Sequence, residues 1–543
     1  MVFALGASAF AATNSLETDY AIGDGLGVSV DLDIEGMYFD GVDILNTATN
    51  GYYPFSFSLI ASDRSKVASV TVSNGGSFHW AYAQNADGSY VTDEDGNYVE
   101  STTTNYGVVV LPTTSASTVT VTGTGNIGSA TFNCAQPSGG TTAPGASLYA
   151  YLPAPAQFVN EGVTTGGWGD AYDSNGTVKA TSSTGVSLGF FGGYAVYEFE
   201  NPIADDPTHP YGADFIVYGN AFWNNSEAGC IQVSKDGATW YDIAGSMYYT
   251  KSTKGASITY TNPSTSEDAG ITAAGTNLGT LAPVSYTLNG TAGTVTTNTF
   301  HNHSWFPLNA NYFAASGSRA AMAKVDEFSF VSRTLASNGV TDKLTFTGTL
   351  LTDYPGTGKT DQIGFGYCDV HPNKTLGGTI AYNPYQTFTS SSDYDTKVAG
   401  TSGGDPIDIA WAVKPNGTPA NLDSIRYVRI YTGMAQMNGI FGEISTEVCG
   451  VAACTGSTTE TAATPTISVD GSTVTTTNGG ILPLSKKSGD YTVNVTGTGY
   501  VYINGVATTS ATITPTRTGT KVQIIVQNGE AAPYVTYLNL QKK

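Results

Sequence analysis

The sequence predicts an all-β, multidomain protein with a large central jelly roll flanked by smaller β-sandwich domains, and three observations carry that reading. Helical periodicity is nearly absent. Short alternating segments such as GVSVDLDIEG, ASVTVS, STVTVTGTG and YTVNVTGTGYVYING recur between turn signals, the period-two pattern of half-buried strands. The chain also carries 65 Gly and 33 Tyr with runs of Thr and Ser but only 12% charged residues, so its polar surface consists of hydroxyls and turns rather than ion pairs. Its 40% hydrophobic content argues against disorder. At 543 residues the chain exceeds the roughly 250 to 300 that one core sustains, so several domains are expected.

Taken in chain order, residues 1–12 read as the last part of a secretory signal. An apolar run precedes Ala9-Phe10-Ala11, the small-large-small pattern that signal peptidase recognises. Residues 13–135 read as an N-terminal β-sandwich. Within them NADGSYVTDEDGNYVE holds two Asp-Gly turns spaced for hairpins. Asp93, Asp95 and Asn97 echo a calcium loop, but Gly96 falls one position after the second Asp and no Glu closes the ring, so the hairpin is favoured. Two stretches rich in Thr, Gly, Ser and Pro, residues 135–147 and 453–466, read as linkers. They set off a central jelly-roll domain, 148–452, expected to fold alone, from an immunoglobulin-like sandwich, 465–543.

Lys+Arg 22 against Asp+Glu 44 gives a net charge of −22, which repels nucleic acid and anionic membrane and suits neutral sugars or cations such as calcium. No stretch reaches the roughly 18 uninterrupted apolar residues that span a bilayer. Cys134, Cys230, Cys368, Cys449 and Cys454 are odd in number. A disulfide from Cys134 to Cys449 or Cys454 would staple the ends of the central domain; buried free thiols are the alternative.

The pair VSKDGATWYDI and RYVRIY resembles the strand signatures of discoidin-type, galactose-binding-like jelly rolls. Over about residues 148–452 the chain also resembles a family of uncharacterised bacterial cell-surface proteins, through YLPAPAQFVNEG, GWGDAY, VSLGFFGGYAVYEFENPI, DFIVYGNAF, GFGYCDV, DIAWAV and GEISTEV. The resemblance implies a surface location and an association with nutrient capture, corrinoids included. Cys368 stands where the resemblance implies Ala.

Read from the residues themselves, Asp236-Gly237 is a tight reversal and Trp240 returns to the core. Arg426 and Arg429, three apart on a strand, point to opposite faces, so at most one can meet a ligand. His301 and His303, two apart, share a strand face, and with Asp369 and His371 beside Cys368 they are the candidate metal ligands. Calcium or a transition metal is the candidate cofactor. No G-x-S-x-G nucleophile elbow is expected, and the chain holds neither a H-E-x-x-H helix nor a P-loop. Were it a paired-carboxylate glycosidase, Glu227, Asp369, Asp408 and Glu443 would be the residues to inspect.

Aromatics support binding instead. Of Trp168, Trp223, Trp305, Tyr367 and Trp411, the tryptophans least required by a core are Trp223, in NAFWNNSEAG, and Trp305, before Phe306-Pro307. The expected ligand site is therefore Trp223, Trp305 and Tyr367 with Asp369 and His303 as polar contacts. The functional expectation is a non-enzymatic extracellular protein capturing a small molecule or glycan, with cell-envelope or self-association partners. A structural layer or fibre subunit and a carbohydrate-active enzyme are the rivals.

Overall fold

A computed structural model describes residues 16–23, 26–32, 38–40, 43–45, 56–83, 91–93, 98–111, 115–134, 145–160, 185–221, 226–265, 279–308, 328–352, 364–380, 382–438 and 442–543. Residues 1–12, Asp95, Asn97, Trp168 and Trp223 lie outside them. The fold is all-β, with one described α-helix, Ser391–Lys397, whose first turn is capped by the Ser390 hydroxyl accepting the Asp393 N–H.

The chain forms two compact units. The first is Met1–Ala143 with two short segments, Phe199–Pro202 and Lys235–Thr239; the second is Pro144–Glu198, Ile203–Ser234 and Trp240–Lys543.

The first unit holds two five-stranded sheets. One runs Leu16–Gly23, Leu26–Leu32, Ser56–Ala61, Tyr106–Val110, Ser77–Trp80; the other runs Tyr38–Asp40, Asp43–Leu45, Ser129–Cys134, Ser117–Gly123, Val67–Val72. Along Ser117–Gly123 every second side chain is buried. Val119 and Val121 thereby meet Leu59, Val109 and Phe132 in one core. Asp236 closes its turn by accepting the N–H groups of Ala238 (2.8 Å) and Thr239 (2.7 Å), with Gly237 at φ +75°. That is the tight reversal its Asp-Gly pair announces.

In the second unit a six-stranded sheet runs Ser147–Leu152, Tyr194–Ala204, Ser424–Thr432, Gly229–Ser234, Tyr241–Ile243, Ala412–Val413. A five-stranded sheet runs Thr291–Val295, Val284–Leu288, Ser252–Thr261, Thr341–Leu351, Val331–Leu335. Their facing surfaces interlock: Tyr431 Oη accepts the Thr349 N–H at 2.8 Å, and Tyr194 and Trp240 pack edge-on against Phe330. Arg429 is fully buried here, its guanidinium 3.5 Å from the Phe330 ring and bonded to Gln232. Arg426 is also buried, and pairs with Glu198 at 2.5 Å. Both arginines of RYVRIY thus belong to the packing, because burial on both sheet faces leaves neither side of this strand open.

The C-terminal sandwich lies in the same unit. Its sheets run Ser472–Val474, Thr466–Val469, Tyr491–Thr496, Ser510–Ile513 and Ile481–Lys486, Tyr534–Lys542, Thr520–Gln527, Tyr500–Ile503, Val506–Ala507. They close over Val493, Val495, Ile503, Val522, Ile524 and Leu538. The segment before it is bonded in place: the Thr458 N–H reaches Thr208 O, and Glu460 accepts the Glu530 N–H. Tyr502 packs on Phe365 and Tyr385 and donates its hydroxyl to Tyr385 O at 2.7 Å. All five cysteines are free thiols, so the staple is not formed. Cys134 packs among the apolar side chains of the first unit's core.

Candidate functional site

The middle of the second unit gathers carboxylates from three separate stretches of chain. Glu227 precedes the strand Gly229–Ser234, and its N–H donates to Asp369 O at 3.1 Å. Gly229 and Cys368 then exchange backbone bonds, 2.9 Å each way. The next residue, Asp369, has φ +63°, an uncommon conformation for a non-glycine residue. Its Oδ1 accepts the Asn220 N–H at 2.7 Å and its Oδ2 the Glu447 N–H at 3.1 Å. Gly219 must be glycine, since a Cβ there would lie 2.3 Å from Asp369 Oδ1. Glu447 opens the two-residue strand Glu447–Val448 and pairs with Ser187.

The outcome is a group in which Glu227, Asp369 and Glu447 each offer an oxygen within 4.8 Å of the others. Asp369 is 0% exposed, Glu447 is buried and Glu227 is half-buried, so the group reaches solvent through Glu227. Burial pushes the Glu227 carboxyl up to about 7. Burial, reinforced by the Glu227 charge, holds Asp369 and Glu447 well above the usual carboxylate range.

A fourth carboxylate, itself buried, lies four residues before Glu447 in the chain. Glu443 is 4% exposed; its Oε1 accepts the Gln157 N–H at 3.3 Å, and its Oε2 has no hydrogen-bond partner. Burial raises it to about 8, and the Glu227 charge adds to the rise. Gln157 Oε1 in turn accepts from Asn298 Nδ2 at 3.2 Å, and Asn298 Oδ1 accepts the N–H groups of Phe300 and His301. Phe300 is 83% exposed, whereas the other exposed large apolar side chains range from 37% to 54%. A loop bearing an outward aromatic is therefore tied, through Gln157, to the Glu443 carboxylate.

The expected site residues fall into place unequally. Trp305 is 0% exposed: its Nε1 donates to His301 O and its carbonyl accepts the Ala156 N–H, so its ring is core and not a surface platform. The Pro-rich loop sequence suggested exposure, but the loop is folded inward. Tyr367 is also buried, its hydroxyl accepting the Met247 N–H at 3.0 Å. His303 is buried, and His301 packs edge-on against Phe158. His371 turns to another carboxylate, with Nδ1 2.8 Å from Asp405 Oδ1 and its ring stacked on Tyr394. Among the described residues, no group of three metal-ligating side chains includes a histidine, and Asp369 alone of the candidate ligands enters one.

Of the four carboxylates singled out for a glycosidase, Glu227 and Asp369 come together, and Glu443 feels Glu227. Asp408 belongs to a second group, with Asp205 and Asp214. Glu447 was not singled out from the sequence, although it lies in the GEISTEV segment. Gly185-Val186-Ser187-Leu188-Gly189 carries the Gly-x-Ser-x-Gly spacing of a hydrolase nucleophile. Ser187 is buried, however, and its hydroxyl is bonded to that of Ser445 at 2.7 Å, so it is a strand residue and not an exposed elbow. Compared with models of known protein families and with curated protein sequences, the chain matches none.

Proposed function

We propose that the chain is an extracellular, cell-surface binding protein whose middle region captures a small molecule or glycan, with the first unit and the C-terminal sandwich as spacer or anchoring modules. The observation that carries this reading is Phe300, held 83% exposed on a loop whose Asn298 and Gln157 lead by hydrogen bonds to the Glu443 carboxylate. An exposed aromatic face with amide groups on its own loop is how sandwich modules hold sugar rings and flat ligands. The surface location rests on the signal-like residues 1–12 and on the resemblance of residues 148–452 to bacterial surface proteins.

Turnover fits this geometry less well. A glycosidase needs two carboxyl groups flanking one bond of the substrate, yet Asp369 and Glu447 are buried and Asp369 holds two backbone N–H groups. Only Glu227 reaches solvent. The layer or fibre reading draws on Ile481 and Val506, exposed on the two edge strands of the C-terminal five-stranded sheet.

The test is a pair of variants screened against glycans, corrinoids and other ring-bearing nutrients. Phe300→Ala should keep its melting temperature and lose binding at least tenfold. Trp305→Ala should lose about 3–5 kcal/mol of stability, as a buried tryptophan does. Full binding in a stable Phe300→Ala protein would remove the loop from the site. Concentration-dependent assembly with no ligand captured would favour the layer subunit.

A further inference from the structure

We infer that Glu227, Asp369 and Glu447, completed by Glu443, form a binding site for a hard divalent cation, calcium by the chemistry of the donors. This goes beyond the ligand-capture reading and does not depend on it.

The first observation is geometric. Calcium takes oxygen ligands at roughly 2.3–2.6 Å, so two ligands on opposite sides of one ion stand about 4.8 Å apart. The oxygens of Glu227, Asp369 and Glu447 all lie within 4.8 Å of one another, which lets them share a single coordination sphere. Their backbone already holds them there. Asp369 is oriented by the N–H groups of Asn220 and Glu447, and the Thr446 hydroxyl binds Glu227 O at 2.7 Å. Each Asp369 oxygen accepts one of these bonds and keeps a second lone pair for an ion.

The second observation is independent of that trio. Glu443, bridged to Met437 and four residues before Glu447, is 4% exposed and leaves Oε2 without a donor. A buried acceptor with no partner calls for a missing donor or ion.

Donor chemistry selects the ion. All four groups are carboxylates, the ligands of calcium and magnesium rather than of zinc or copper. The softer donors nearby are engaged elsewhere: His371 on Asp405, and the Cys449 thiol on Gly219 O at 3.1 Å. Magnesium demands near-octahedral geometry and keeps several waters, which a deeply buried group of carboxylates does not favour. Half-buried Glu227 supplies the route from solvent.

The experiment uses the full chain, stripped with a chelator and titrated calorimetrically with calcium chloride, magnesium chloride and zinc chloride. Wild type should bind calcium more tightly than magnesium and should melt at a higher temperature once loaded. Glu443→Gln and Glu227→Gln, which keep side-chain shape, should each weaken calcium binding at least tenfold. Asp205→Asn, in the other carboxylate group, should leave it unchanged. The inference is overturned if calcium gives neither heat nor a melting shift at millimolar concentration, which would mean that the carboxyls share protons instead. It is equally overturned if both glutamine variants bind as wild type does, or if zinc saturates the site and calcium does not.

Discussion

Two carboxylate trios in the same unit satisfy the same distance requirement, and they differ in how their charge is met. In Asp205, Asp214 and Asp408 one member, Asp214, has a positive partner within the fold. His209 Nδ1 lies 3.2 Å from Asp214 Oδ1, and the N–H groups of Asp206, Ile409 and Ala410 donate to Asp214 and Asp408 at 2.7–2.9 Å. On Asp369 and Glu447 the strongest charge acting is that of Glu227, Glu227 and Glu447 are hydrogen-bonded side chain to side chain, and Glu443, four residues before Glu447, keeps a bare oxygen. Closeness of acidic groups alone therefore does not define a cation site. What distinguishes the two is whether the fold itself supplies the positive partner.

Removing a member should expose that difference most strongly in the trio that holds Asp214. Asp214→Ala strips three donors of their acceptor at a fully buried position. Breaking a buried pair in this way costs about 3–5 kcal/mol. Chemical denaturation should show a loss of that order that calcium does not restore. A loss below about 1 kcal/mol would show that Asp214 is not balanced by its partners.

The other trio should respond to the ion. A ligand that binds only the folded chain adds about 2.7 kcal/mol at one hundred times its Kd. Wild type should therefore melt several degrees higher in calcium than in chelator, and Glu443→Gln should show much less of that gap. Equal gaps in both proteins would break the comparison.

A smaller effect follows pH. The Asp214 hydrogen bond raises His209 above its ordinary value, outweighing the opposing effect of burial, with the charges of Asp214 and Asp206 assisting. The sign follows: the folded chain holds this proton more tightly, so the stabilisation is complete below the unfolded value near 6.5. It is lost as pH rises through the raised folded value. Asp214 is the first partner facing this imidazole, and Asp206 the second, at 4.0 Å. His209→Gln should flatten the fall in stability just above pH 6.5 without altering calcium binding. An unchanged slope would mean that the histidine does not neutralise Asp214.

How much of this was legible beforehand depends on the residue. The all-β fold is written locally, in alternations such as STVTVTG, which the structure buries at every second position. Asp236-Gly237 announces its turn in the same local way. Glu227, Asp369 and Glu443 could be singled out as carboxylates in distinctive segments, but not grouped, since grouping depends on contacts such as that between Glu447 and Asp369 across 78 positions. Glu447 was hidden by its long-range strand pairing with Ser187, which buries it. Trp305 misled for the opposite reason. Its loop composition signals surface, yet Asn160 receives the loop, its Nδ2 donating to the carbonyls of Ser304 and Phe306 and its Oδ1 accepting the Leu308 N–H. The ring is sealed inside.

The most direct measurement is a crystal structure of the chelator-stripped protein grown with calcium as its only divalent ion. The account predicts one ion bound by Asp369, Glu227 and Glu447 at about 2.3–2.6 Å, with Glu443 Oε2 drawn to the ion or to a water on it, and nothing at Asp205, Asp214 and Asp408. Carboxyls hydrogen-bonded to one another around an ion-free centre would contradict it.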